Sequence, residues 1–135
     1  MSWDVMIQKF SRHYAAIAEI PNDEKCADLG PRAFVQAAVS QIFPETNWDY
    51  PAWGTWSSRY GSIEFNVGSD PVEGMMLHVR AGTEVVGGII KLCRDNGWQG
   101  LDCGSGEFIE LTEQAETGLL AWGAYRDQIL ASPNR

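Results

Sequence analysis

Residues 62–80 read SIEFNVGSDPVEGMMLHVR. Ile63, Phe65 and Val67 alternate with Ser62, Glu64 and Asn66, and Met75, Leu77 and Val79 alternate with Met76, His78 and Arg80. Successive side chains on a strand point to opposite faces, so each run reads as a half-buried strand. Pairing the two antiparallel with apolar faces matched sets Val67 opposite Met75, Phe65 opposite Leu77 and Ile63 opposite Val79. The same register sets Glu64 opposite His78, with Arg80 diagonal to Glu64.

That polar face has two readings. Glu64, Asn66, His78 and Arg80 form a cluster that could hold a proton or bind an anion. An antiparallel sheet with one packed and one wet face gives the same pattern without any chemistry. Cross-strand opposite charges are in any case ordinary stabilisers, worth about 0.2–1 kcal/mol each.

Upstream, Trp3 to Phe10 alternates well enough for a first strand, and residues 11–29 read as a covering loop. Pro31 opens a helix whose apolar positions are Phe34, Val35, Ala38, Val39 and Ile42, stopping at Phe43 before Pro44. In NWDYPAWGTW (residues 47–56) Pro51 and Gly54 predict a bent loop leading into a short strand. Its aromatics, Trp48, Tyr50, Trp53 and Trp56, either close one end of the core or anchor a partner.

Downstream, Thr83 is placed to cap a helix carrying Val85, Val86, Ile89, Ile90 and Cys93, which ends at Asn96-Gly97. Trp98 to Cys103 reads as a strand, GSGE as a turn and Phe108 to Leu111 as another strand. A last helix begins near Thr112, with Leu119, Trp122, Tyr125 and Ile129 on one side. Adjacent strands with segregated helices predict one α+β domain over residues 1–135. Its sheet is mainly antiparallel, helices pack on one face, and residues 111–135 form a C-terminal helical extension.

The chain has 135 residues, three cysteines and a formal net charge of −8. Such acidity disfavours contact with nucleic acid. No run reaches the ~18 apolar residues of a membrane span. The start has neither the basic nor the apolar region of a signal peptide, and sparse, odd-numbered cysteines suit a reducing compartment, so the expectation is a cytoplasmic protein.

From Asp95 to Asp127 seven acids face one base, which carries −6 of the total charge. That asymmetry serves solubility, or it offers a face to a basic partner. The partner-binding candidates are Asp102, Glu107, Glu110, Glu113 and Glu116, with Trp53 and Trp56 from the aromatic loop.

Enzyme signatures are weak. DCGSGE places Cys103 and Ser105 beside glycines, but Cys103 stands where a nucleophile elbow needs glycine. A glycine-rich turn explains the string. No phosphate loop or metal-ligand spacing occurs, and no cofactor or metal is expected.

Several strings together resemble a family of small, functionally uncharacterised bacterial proteins: MSWDV at the start, PAWG at 51–54, SIEFNVG at 62–68, LHVRAG at 77–82 and GWQGLDCGSGEFI at 97–109. The family pattern begins MSWD and continues SIE-x-N-x-G, LHVRGG, then LD followed by GEF. Here Ala81 replaces a glycine of LHVRGG, and the helix after Leu111 departs from the pattern. The resemblance implies no catalytic residue. In size and acidity the chain is also similar to the immunity proteins encoded beside bacterial toxins. By that analogy the expected function is a non-enzymatic inhibitor of a basic toxin domain. The competing expectations are a small enzyme or ligand-binding domain that uses Glu64, Asn66, His78 and Arg80, and a homodimer or larger homo-oligomer.

Overall fold

A computed structural model describes residues 2–112 and 115–131. The strands are β1 (Trp3–Gln8), β2 (Asn47–Tyr50), β3 (Trp53–Ser58), β4 (Gly61–Asn66), β5 (Met75–Ala81) and β6 (Gln99–Asp102). The helices are α1 (Arg32–Ile42), α2 (Val86–Asn96) and α3 (Ala115–Ala131), with short 3-10 turns at Ile17–Glu19 and Thr83–Val85. The six strands form one sheet in the order β2-β3-β4-β5-β1-β6, every pair antiparallel. This is a single α+β domain.

The β4–β5 register follows from the alternation: Ile63 pairs with Val79, Glu64 with His78 and Phe65 with Leu77. β1 continues the rows, with Val5 opposite Leu77 and Asp4 opposite His78. One face therefore collects Val5, Ile7, Ile63, Phe65, Leu77 and Val79, all fully buried. Val35 and Val39 of α1, Ile89, Leu92 and Cys93 of α2, and Ala115 and Leu119 of α3 join the same core. All three helices thus cover one face and leave the other open. Burying one such aliphatic side chain stabilises by about 1.5–3 kcal/mol, which makes this layer the main stabilising element.

Four local details differ from the sequence reading. The aromatic stretch is a hairpin, β2 and β3, whose turn lies at Pro51-Ala52. Gly54 is needed there for packing: a Cβ would lie 2.6 Å from the Trp48 ring, which crosses the strand to the core side. Phe108 to Leu111 makes only an isolated bridge, Leu101 to Phe108, before turning away. Thr83 makes no side-chain cap; it begins a 3-10 turn that leads into α2. Phe34 is half exposed and meets Trp98 edge-on, while Val35 and Val39 form the buried stripe of α1.

α2 ends as anticipated, at Gly97 with φ 70, a left-handed conformation that glycine adopts without steric cost. α3 begins at Ala115. Leu119 is buried and Trp122 half-buried, whereas the side chains of Tyr125 and Ile129 lie outside the described residues. No helix among the described residues is long and apolar enough to cross a membrane.

Candidate functional site

The open sheet face carries a polar row across four strands: Thr55, Glu64, His78 and Asp4. His78 Nδ1 lies 2.9 Å from Asp4 Oδ1, and Arg80 donates to Glu64 Oε1 at 3.1 Å. The Ser2 hydroxyl donates to Asp4 Oδ1. Burial pushes the Asp4 carboxyl up, but the Ser2 and His78 hydrogen bonds and the charges of His78 and Arg80 outweigh it and hold the carboxyl below its ordinary range.

Ser2, His78 and Asp4 do not form a hydrolase triad. There the acid faces one ring nitrogen and the nucleophile faces the other. Here Ser2 Oγ, 3.5 Å away, and Asp4 both lie at Nδ1. Trp53 stacks on His78, with ring centroids 5.7 Å apart and planes 18° from parallel. Asn66 sits on the same face, opposite Met76 and Trp53. The alternative ligand residues are therefore neighbours: Arg80 pairs with Glu64, His78 joins Asp4 and the Trp53 ring, and Asn66 stands beside them on the same face.

Strand alternation splits the aromatic loop. Trp48 and Trp56 turn to the helix side, where Trp48 Nε1 donates to Ser40 Oγ at 2.9 Å and Trp56 meets Phe43 edge-on. Tyr50 and Trp53 turn to the open face, opposite one another. There, with Glu45, Asn47, Asp49, Thr55 and Ser57, they line a hollow of about 800 Å³. Tyr50 is 78% exposed. Among the described residues no Lys, Arg or His lines this hollow, so their field there is set by Glu45 and Asp49. Glu45 holds its position with φ 66, in the left-handed region that costs a non-glycine residue about 1 kcal/mol.

The acidic stretch does not make one surface. Glu110 is buried: its carboxylate accepts from Gln99 Nε2 at 3.1 Å and from the Gly100 N–H at 3.1 Å. Gln99 in turn accepts from the Tyr14 N–H and donates to the Tyr14 carbonyl, both at 2.9 Å, which pins the 11–29 loop over the sheet edge. Asp102 is also buried, and its Oδ1 accepts from the N–H groups of Gly104 and Ser105 at 2.8 and 3.2 Å. That bonding shapes the DCGSGE turn. Neither Asp102 nor Glu110 can belong to an exposed acidic patch. Glu107 and Glu116 are exposed, and Glu113 lies outside the described residues. Trp56 faces away from the open sheet face, so of the two candidate tryptophans only Trp53 belongs to it.

Sequence reasoning missed Glu45 and Asp49, and named Tyr50 only among the aromatics that close the core or anchor a partner. The signal was the alternation of NWDY itself, masked by reading Pro51 and Gly54 as loop residues. A second hollow, also about 800 Å³, lies between Trp3, the Asp102 turn and α3. Neither hollow is lined by Glu64, Asn66, His78 or Arg80. Among the described residues no three His, Cys, Asp or Glu side chains converge to hold a metal ion. No protein-family model, curated protein or solved structure matches this chain.

Proposed function

We propose that the chain is a cytoplasmic, non-enzymatic binding protein, an immunity-type inhibitor that captures a basic toxin domain on its open sheet face. The observation that carries this reading is the hollow at β2 and β3. Two carboxylates, Glu45 and Asp49, stand beside two aromatic rings, Tyr50 and Trp53, with no base among the described lining residues. Such a set suits an inserted Lys or Arg side chain, which gains both charge pairing and ring contact. Aromatics at the centre of an interface commonly supply most of its affinity. The net charge of −8 would speed encounter with a basic partner. The polar row supports the same reading, because Glu64, His78 and Asp4 are already paired in a layer on which a large partner can lie.

The test is coexpression with the basic protein encoded beside its gene. The wild-type chain should restore growth and co-purify with that product. The exposed double variant Glu45→Lys/Asp49→Lys should fold but fail at both. Protection undiminished by this double variant rules out the hollow as the contact, and the absence of any binding neighbour rules out the inhibitor reading.

A further inference from the structure

The open sheet face carries an apolar row beside the polar one. Trp53 stands opposite Asn66, Asn66 opposite Met76, Met76 opposite Met6 and Met6 opposite Leu101, so the row crosses β3, β4, β5, β1 and β6. Val5, Ile7, Phe65, Met75 and Leu77, its neighbours along the strands, point into the core, so the row faces away from the helices. Trp53, Met76, Met6 and Leu101 are each partly exposed, and none of them is part of the core cluster. At the far end Leu101 meets the buried Phe108 across an isolated bridge.

Spacing decides which kind of segment fits this row. Neighbouring strands lie about 4.8 Å apart, so from β3 to β6 the row runs about 19 Å. Side chains on one face of an α-helix recur every three or four residues, about 4.5–6 Å along its axis, and keep step with the strands. About 13 helical residues span the row. An extended segment repeats at about 6.7 Å and falls out of step. Charge decides the partner. The polar row lies two residues along each strand, about 6.7 Å to one side. Its Asp4 and Glu64, with Glu45 and Asp49 at the hollow, outweigh Arg80, which already donates to Glu64. A second copy of this chain, at a net charge of −8, is repelled. Trp53 both ends the row and lines the hollow, so the two make one continuous surface. Methionine and aromatic side chains are enriched in interface cores, where flexible thioethers adapt to a partner's relief.

We propose, resting on the inhibitor reading above, that the row seats one cationic amphipathic helix of the partner. The apolar stripe of that helix lies along Trp53, Met76, Met6 and Leu101. Its Lys or Arg side chains reach over one flank to Asp4 and Glu64, and one at its end enters the hollow at Glu45 and Asp49. Apolar burial holds the helix in place, and charge sets its direction and speeds its arrival.

The test uses the purified full chain and a synthetic helical peptide of about 14 residues, with leucines along one stripe and lysines on its flank. The controls are a scrambled peptide of the same composition and a version with glutamate in place of lysine. The ε-methyl NMR signals of Met6 and Met76, assigned by Met6→Leu and Met76→Leu, should shift with the helical peptide and with neither control. The pair Met6→Gln/Met76→Gln should weaken binding by about tenfold or more, because it makes the centre of the row polar. The pair Met6→Leu/Met76→Leu keeps the row apolar and should bind like wild type. The methyl shifts are read on the wild-type chain, so they decide the matter if the glutamine pair misfolds. The proposal is overturned if neither methyl moves, if either control peptide binds as well, or if the glutamine pair binds like wild type. It is equally overturned if the methyls shift with protein concentration alone, the sign of a second copy on this face. A chain that binds the helical peptide but no basic neighbour loses the inhibitor reading and keeps the helix seat. A chain whose capture of that neighbour fails with Glu45→Lys/Asp49→Lys but survives Met6→Gln/Met76→Gln keeps the inhibitor reading and loses the seat.

Discussion

Trp53 lies flat on His78, with centroids 5.7 Å apart, although β4 runs between their strands. The indole therefore spans the open face and shields one side of the imidazole that Asp4 holds at Nδ1. Trp53→Ala should cost about 0.5–1.5 kcal/mol beyond lost burial, the usual worth of a ring pair. It should also move the His78 ring protons downfield as the indole ring current vanishes. Chemical denaturation and proton NMR measure the two effects, and unchanged His78 resonances would contradict the stack.

Asp4 makes stability depend on acidity. Its folded carboxyl is held below the ordinary 3.8, so its contribution is fully present above that value and fades as pH falls through the folded pKa. The side chain is 40% exposed, so solvent screening limits the contribution to about 1 kcal/mol or less. Asp4→Asn should lower stability at neutral pH and flatten the loss of stability below about pH 4. Denaturation midpoints across that window would show it.

Glu110 and Glu107 are close in sequence and opposite in role. Glu110→Ala strands the Gly100 N–H and a Gln99 donor, each a buried group whose loss of a partner costs about 1–3 kcal/mol. It should also loosen the 11–29 loop, seen as faster hydrogen exchange at Tyr14. Glu107→Ala, on the exposed turn, should stay within about 0.5 kcal/mol of wild type.

Gly118 sets how closely α3 approaches the sheet. Alanine would gain about 1 kcal/mol in helix propensity. Its Cβ, however, would meet Asp102 Oδ2 at 2.0 Å, and overpacking of this kind costs about 1–3 kcal/mol. The clash should outweigh the propensity, so Gly118→Ala should destabilise. Gly123, with no atom of the described residues within 4 Å of an added Cβ, is the control that should gain stability.

The layer of the fold that follows a period of two was legible from residues 62–80. One register rule placed Glu64 against His78 and matched the apolar rows. β2 was not legible, because Pro51 and Gly54 carry loop signals while serving a tight hairpin and a crossing Trp48 ring. The burial of Asp102 and Glu110 was not legible either. An acidic side chain reads as surface until the backbone N–H groups that turn toward it are located, and those come from a turn and a neighbouring strand. Likewise Asp4 joins His78 only through the β1–β5 pairing, 74 residues apart in sequence.

The most direct measurement is amide mapping of the contact surface. The basic protein encoded beside its gene, the proposed partner, is added to the isotope-labelled chain, and shifted backbone signals are recorded. The proposed binding mode predicts shifts centred on Glu45, Asp49, Tyr50, Trp53 and Thr55, spreading to Glu64 and His78. Shifts confined to the helix-covered face, or to α1 and α2, would contradict it.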